Sequence, residues 1–270
     1  MRKRADYGLD APAIVLGLAL GGAACVALGP RIPGLSWLVW AGGFLFAEVV
    51  LMLWSSRYGK RVEAERLLER LAWRGDETVL DVGCGRGLLL IGAARRLPAG
   101  LAVGVDLWNS RDLAGNAPRA TRANAAAEGV ADRIEIATGD ARALPFTDAA
   151  FDVVLSSLAL HNVHSGADRR RAIEEIARVV KPEGRILLLD IRHTGQYARA
   201  LRDRGFVVER TRPHLWTFPP SRQVRARRVG AAEVTRPAGA AEDPLEHRPP
   251  TPPGADLRER TRAGSRTGSP

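Results

Sequence analysis

Residues 11–54 constrain this chain more than any other stretch. Two apolar runs, "AIVLGLALGGAACVALG" at 13–29 and "LSWLVWAGGFLFAEVVLMLW" at 35–54, flank Pro30-Arg31-Ile32-Pro33-Gly34. In lipid, a chain must pair its backbone N–H and C=O groups internally, so both runs are expected to be helices joined by a tight turn. A span needs roughly 20 apolar residues. The second run has that length; the first is slightly short but uncharged. The expectation is a hairpin of two transmembrane helices within residues 1–56. A buried hairpin in a soluble protein is the alternative. A cleaved signal peptide would leave the second run unexplained.

The flanks orient the hairpin. Arg2-Lys3-Arg4 precede it, Arg57, Lys60 and Arg61 follow it, and the turn carries only Arg31. The positive-inside rule then puts both ends in the cytoplasm, at the inner (cytoplasmic) membrane. Trp37 and Trp40 sit near the outer end of the second run, Trp54 and Tyr58 near the inner end, where amphipathic rings settle. Gly17 and Gly21 have the spacing that lets helices approach closely, though chance accounts for it in so Gly- and Ala-rich a segment. Glu48 inside the second run is costly: it is either functional, or protonated or snorkelling.

Residues 57–75 read as a linking amphipathic helix, with Val62, Leu67, Leu68, Leu71 and Trp73 among Arg and Glu. Gly75-Asp76 ends it. Residues 76–230 alternate strand-like and helix-like stretches. Strands are expected at 78–82, 101–106, 134–138, 152–158, 185–191, 206–211 and 221–228, and helices at 88–97, 118–128, 168–180 and 195–204. Pro118 signals a helix start, and Lys181-Pro182-Glu183-Gly184 a turn into the fifth strand. Such alternation implies a mostly parallel sheet with helices on both faces. Residues 231–270 are rich in Pro, Gly, Thr, Arg and Glu and poor in large apolar residues, a composition expected to stay disordered.

The net charge is +10. Its arginines are scattered, with short runs only at Arg169-Arg170-Arg171 and Arg225-Ala226-Arg227-Arg228, so a dedicated nucleic-acid surface is not expected. The two cysteines, Cys25 and Cys84, do not suit a disulfide, and no spacing suggests a metal site.

The chemistry begins at "LDVGCGRG", residues 80–87. Gly83, Gly85 and Gly87 follow the first strand, and the next helix starts at once. A dinucleotide fingerprint would want its third glycine at Leu88, and a phosphate-cradling G-x-x-x-x-G-K-[ST] is absent. The pattern Asp81-x-Gly83-Cys84-Gly85-x-Gly87 instead resembles the first motif of class I S-adenosylmethionine-dependent methyltransferases, close to the small-molecule and quinone-type members. The later segments resemble that family in order: Asp106-Leu107 ending the second strand, Gly139-Asp140-Ala141 after the third, "LPFTDAAFDVVLSSLALHNV" around the fourth and "IARVVKPEGRILLLDI" into the fifth.

The resemblance implies an α/β fold: a Rossmann-like seven-stranded methyltransferase sheet with helices on both faces, preceded by the two transmembrane helices. It implies S-adenosyl-L-methionine as cofactor. Asp81 would face its ammonium, directly or through water. Asp106 would accept from both ribose hydroxyls, with Leu107 beside it, and Asp140 would reach the adenine amine between Gly139 and Ala141. Ser156 ends the fourth strand within the same site. His161 is the candidate base or acceptor-orienting group, with His164 weaker and Asn162 and Ser157 as polar neighbours. The loop 107–120, with Trp108 and Asn109, is a few residues longer than the family's usual helix start. The place after the fourth strand reads Ser156-Ser157-Leu158-Ala159 rather than [D/N]-P-P-[Y/F/W], which disfavours DNA base methylation. The acceptor is therefore expected to be a small or lipid-like molecule, with a membrane-bound scaffold or sensor that binds cofactor without turnover as the alternative. The sequence is silent on oligomeric state.

Overall fold

The computed structural model describes residues 5–228. The 231–270 tail and the Arg2-Lys3-Arg4 flank lie outside the described residues. Two helices come first, α1 (Pro12–Leu28) and α2 (Leu38–Trp54), followed by a five-residue π-type turn, Ser55–Gly59, that runs into α3 (Lys60–Glu69). The linking helix is thus shorter than expected, and it continues α2 rather than starting afresh.

By length and composition, α1 and the α2–α3 rod can each cross a membrane. Their large apolar side chains point outward: Ile14, Leu16, Leu20, Trp40, Phe44 and Val50 are all exposed. A soluble protein rarely leaves so continuous an apolar surface in water. The two helices touch where glycines let them. A Cβ on Gly42 would stand 2.7 Å from the Gly22 carbonyl oxygen, and one on Gly22 would stand 3.2 Å from that of Gly42. Gly17, by contrast, faces open space, and a Cβ on Gly21 would make only an ordinary contact with Leu45. The close pair is therefore Gly22 with Gly42, not the Gly17–Gly21 spacing. Gly42→Val should destabilise the protein by about 1–3 kcal/mol through overpacking, and Gly17→Val should leave it nearly unchanged; thermal unfolding in detergent checks both.

The α/β part contains β1 (Thr78–Val82), α4 (Leu88–Ala94), β2 (Leu101–Asp106), α5 (Pro118–Ala127), β3 (Ile134–Thr138), β4 (Phe151–Ser157), α6 (Gly166–Val179), β5 (Val180–Asp190), α7 (Thr194–Arg202), β6 (Phe206–Arg210) and β7 (Arg222–Arg228). The sheet order is β3-β2-β1-β4-β5-β7-β6. Strands β1 to β5 pair in parallel, and β7 is antiparallel to both β5 and β6. Lys181-Pro182-Glu183-Gly184 does not separate a helix from a strand: Val180 already pairs with Phe151, and Arg185 with Val153, so these four residues loop out as an irregularity within β5.

The period-two alternation of the strands divides the core. Leu80, Val82, Val154, Ile186 and Leu188 face α6 and α7 with Ile173, Ile176 and Tyr197. Val79, Val153, Leu155, Leu187 and Leu189 face α3 and α4 with Leu67, Leu68, Leu90 and Ile91. Near-continuous apolar runs in the inner strands reflect burial on both faces. The chain order reverses between β1 and β4, and a crevice opens there at the carboxyl ends of the strands, where such sheets bind ligands.

Candidate active site

The loop after β1 is held from below and from the side. Gly83 and Cys84 donate backbone N–H bonds to the Val105 carbonyl at 2.8 and 3.2 Å. The Gly85 N–H donates to Asp106 Oδ2 at 2.8 Å, and the Thr121 hydroxyl donates to the Gly85 carbonyl at 2.7 Å. Gly83, Gly85 and Gly87 all have positive φ, the region where a side chain is strained. At Gly83 space also forbids one, since a Cβ would lie 2.2 Å from the Ala159 Cβ. The loop from β1 and the loop from β4 therefore meet closely over the crevice. The side chain of Cys84 is buried, which pushes its thiol pKa well up and leaves it unreactive.

Asp81 falls on the α4 face of β1, and its Oδ2 accepts the Leu90 N–H of that helix at 2.9 Å. Only 2% of the residue is exposed, and Oδ1 has no hydrogen-bond partner. Burial pushes its pKa up to about 7, with the Asp106 charge adding to the rise and the Leu90 N–H opposing it. Asp106 accepts from Gly85 on Oδ2, and from the Trp108 N–H (2.6 Å) and Asn116 Nδ2 (3.1 Å) on Oδ1. Asp140 is gripped by Arg142, whose side chain reaches both carboxylate oxygens. That hydrogen bonding holds the Asp140 pKa below its usual range.

A cavity of about 1090 Å³ joins these groups. Asp81, Gly83, Cys84, Gly85, Asp106, Leu107, Gly139, Asp140, Ala141 and His161 all line it, as do Asn109, Ser157, Asn162 and His164. Gly87 and Ser156 are not among its lining residues. Gly87 starts α4 and packs toward Thr121 and Ile91. Ser156 is buried and donates its hydroxyl to the Val82 carbonyl at 2.8 Å, tying β4 to β1. Because side chains alternate along a strand, Ser157 takes the outward place. Trp108 likewise points away and donates Nε1–H to Thr138 Oγ1.

His161 has a partner that the sequence did not single out. Its Nδ1 lies 2.6 Å from Asp190 Oδ1, without meeting hydrogen-bond geometry, and its backbone N–H donates to Asp190 Oδ2 at 3.0 Å. Asp190 ends β5 and is 2% exposed. It also accepts from the Ile191 N–H (2.8 Å) and the Tyr197 hydroxyl (3.2 Å). Burial raises the Tyr197 pKa, so the phenol stays a donor. Arg169 fastens the histidine loop by donating to the Val163 and His164 carbonyls at 2.7 and 2.9 Å. His193 lines the cavity too, and burial holds it below the usual histidine range. The available signal for Asp190 was an acidic residue closing an apolar strand, the same signal that marked Asp106.

The N-terminal strap, residues 5–11, forms another wall. Asp6 pairs with Arg86 of the glycine loop at 3.0 Å and exchanges hydrogen bonds with Asn124. Ala11 N–H donates to the Asp112 carbonyl and Ala114 N–H to the Leu9 carbonyl, both at 2.9 Å. The long 107–120 loop thus serves as the seat of the strap. Ala11, Leu158 and His193, all lining the cavity, and Trp108 beside Asp106 have positive φ, a conformation that is strained in non-glycine residues and clusters at functional sites.

Comparisons with known proteins agree with this geometry. Residues 80–188 match a family described as a methyltransferase domain. The chain is 36% identical over 130 residues to the ubiquinone/menaquinone biosynthesis C-methyltransferase UbiE of Dinoroseobacter shibae, covering 48% of each chain. It is 36% identical over 140 residues to the demethylmenaquinone methyltransferase of Symbiobacterium thermophilum, covering 52% of this chain and 51% of that one. The chain therefore spans about half the length of the curated relatives it matches. Among solved structures, the geranyl diphosphate C-methyltransferase of Streptomyces coelicolor A3(2) superposes with a TM-score of 0.52 at 17% identity, covering 63% of this chain and 81% of that one, and shows the same fold. With sheet order, glycine loop and relatives in agreement, residues 80–188 form a methyltransferase domain with the fold of the class I enzymes.

Proposed function

We propose that the protein is a membrane-moored methyltransferase that transfers a methyl group to a small, lipid-like acceptor at the cytoplasmic face. The observation that carries this reading is the single cavity that runs from the glycine loop and His161 to the foot of the hairpin. The names of its relatives, quinone-biosynthesis methyltransferases, agree with an acceptor of that kind. Of the cytoplasmic-side cations expected from the sequence, Arg57 and Arg61 are exposed and support the orientation. Lys60 is buried and spent on the strap.

The residues present fit the cofactor. The Gly83–Gly85 backbone lines the cavity where the methionine end would lie, and the unpartnered Asp81 Oδ1 suits an ammonium. The Asp106 carboxylate suits the ribose hydroxyls. Asp140 suits the adenine amine once it shares its oxygens with Arg142. When bound, S-adenosylmethionine supplies a methyl on a sulfonium, which departs as a neutral thioether and needs no acid. His161 then has one task. Its Nδ1 lies beside Asp190, so Nε2 is the nitrogen left to take a proton from an acceptor hydroxyl in the cavity that His161 lines. The loops from β1 and β4 align the partners, and alignment supplies much of the rate.

Transfer of labelled methyl from S-adenosylmethionine to a demethylated naphthoquinol, with the full chain in lipid nanodiscs, tests the proposal. His161→Ala should lower kcat by about 100-fold with cofactor affinity unchanged. Cofactor binding without transfer to any lipid-soluble acceptor would sink the reading and favour a scaffold.

The buried Asp81 adds a pH signature. Its folded pKa is raised, so the fold favours the protonated acid. That contribution to the stability of the cofactor-free protein is full below the unfolded pKa and is lost as pH rises through about 7. An ammonium beside it favours the carboxylate instead. Cofactor binding should therefore release a proton and tighten as pH rises toward 7, by at most about tenfold per pH unit. α-Amino groups titrate near ~8 and stay charged over that window. Calorimetry in buffers of different ionisation enthalpy reads the proton; Asp81→Asn should abolish both the release and the slope.

A further inference from the structure

The cavity lies at the upper end of the sizes usual for a small-molecule pocket. Single small-molecule pockets run to about 300–1,000 Å³, and this one is about 1090 Å³. Its far end is built by the hairpin. Ile14 and Leu18 of α1 line it, and so do Glu48 and Met52 of α2. Each pair is four residues apart, so each is one stripe on one helix face. The α2 stripe continues through Ser55 and Ser56 to the polar floor, where Ser56 donates to Asp10. The lining is thus graded: mostly apolar on the hairpin, where the Glu48 carboxyl sits among Ile14, Leu18 and Met52, polar at its foot, then His161 and the glycine loop. Leu18 lies six residues above the start of α1, and Glu48 six above the end of α2, or roughly 9 Å along each helix. The close Gly22–Gly42 contact comes higher still on both helices. Below it Ile14 lines the cavity and is 58% exposed.

We infer that this hairpin end is the acceptor's tail-binding site and its entrance, open sideways to the bilayer. The inference deepens the proposed function and rests on it. The ligand is an amphiphile: a compact head that reaches His161, and an apolar chain that lies between the Ile14–Leu18 and Glu48–Met52 stripes and leads back into the acyl layer. This accounts for Glu48. An ionisable side chain at that depth is tolerated where it faces a cavity rather than lipid, and the carboxyl gives an incoming head a hydrogen-bonding station midway. A water-soluble acceptor would need none of these features.

The test uses the full chain in phosphatidylcholine nanodiscs and a naphthoquinone with a photoreactive diazirine at the end of a ten-carbon chain. Illumination should place adducts on Ile14, Leu18, Glu48 or Met52. Leu18→Trp and Met52→Trp should each cut that labelling at least tenfold, while calorimetric affinity for S-adenosylmethionine stays within twofold, which also certifies the fold. Leu16→Trp, on the exposed face, should change nothing. Adducts confined to Leu16, Leu20 and Phe44, or labelling unaffected by both cavity substitutions, would overturn the inference. Labelling requires no turnover, so a protein that labels in the cavity but transfers no methyl would refute the proposed activity and leave the passage standing.

Discussion

Asp106→Ala is expected to weaken S-adenosylmethionine binding by about 100-fold or more. A carboxylate accepting from two hydroxyls makes charge-assisted hydrogen bonds worth about 1.5–3 kcal/mol each, and no other side chain at the end of β2 can replace it. The substitution also unties the site before any ligand arrives. Asp106 holds the Gly85 N–H from one side and the Trp108 N–H and Asn116 amide from the other. Its loss frees both the glycine loop and the start of the 107–120 loop. Calorimetric titration of the full chain in detergent reads the affinity, and Asp106→Asn separates the two contributions. The amide keeps one acceptor for the Gly85 N–H but turns a donor toward the Trp108 N–H and the Asn116 amide and cannot receive two hydroxyls, so it should recover only part of the loop order, seen as thermal stability, without recovering affinity. Unchanged binding in Asp106→Ala would mean that the ribose lies elsewhere.

Lys60→Met should have the largest effect on stability. Lys60 is 4% exposed, and its Nζ donates to the Tyr7 carbonyl at 2.9 Å, the Gly8 carbonyl at 3.1 Å and Asp10 Oδ1 at 2.9 Å. Methionine fills similar space and leaves all three oxygens short of a donor. Leaving a buried acceptor without its donor costs about 1–3 kcal/mol, and the Asp10 side chain, 34% exposed, is partly relieved by water, so the loss should total about 3 kcal/mol, which for a chain of this size is a fall of roughly 10 °C in Tm. The strap would loosen from α3 while Asp6 still held Arg86, so cofactor affinity should fall less than stability does. Adding Asp10→Asn removes the stranded charge and should restore part of the loss; a double-mutant cycle in detergent measures the coupling. An unchanged melting temperature would show that the strap is not anchored through Lys60.

The sheet was legible because its inner strands are buried on both faces, and such strands read as short apolar runs between turn residues. β1, β2 and β3 have the expected bounds, and the helices differ by a few residues at their ends. The irregular stretch within β5 was not legible. Lys181-Pro182-Glu183-Gly184 has the composition of a turn, and only pairing with β4 keeps both sides of it in the ladder. The glycine loop was legible for a local reason: positive φ at Gly83, Gly85 and Gly87 demands glycine whatever surrounds it.

Partnerships across the fold had no local sign. Nothing near His161 in the chain announces Asp190 or Tyr197; β5 and α7 bring them there. Ser156 and Ser157 are equivalent as letters, and the facing of β4 alone sends one to the Val82 carbonyl and the other to the cavity. Gly17 and Gly21 have the spacing of a helix contact, yet the contact falls on Gly22 because the rotation of α1 is set by where α2 lies. The sequence by itself determined the strand–loop–helix cradle, its acidic residues and two apolar helices, since each follows from local conformation or from hydrophobic content. Only the tertiary structure decided that the strap, the long 107–120 loop and the hairpin's foot close around the same cavity, because contacts between residues distant in the chain are specified by the packing of whole elements.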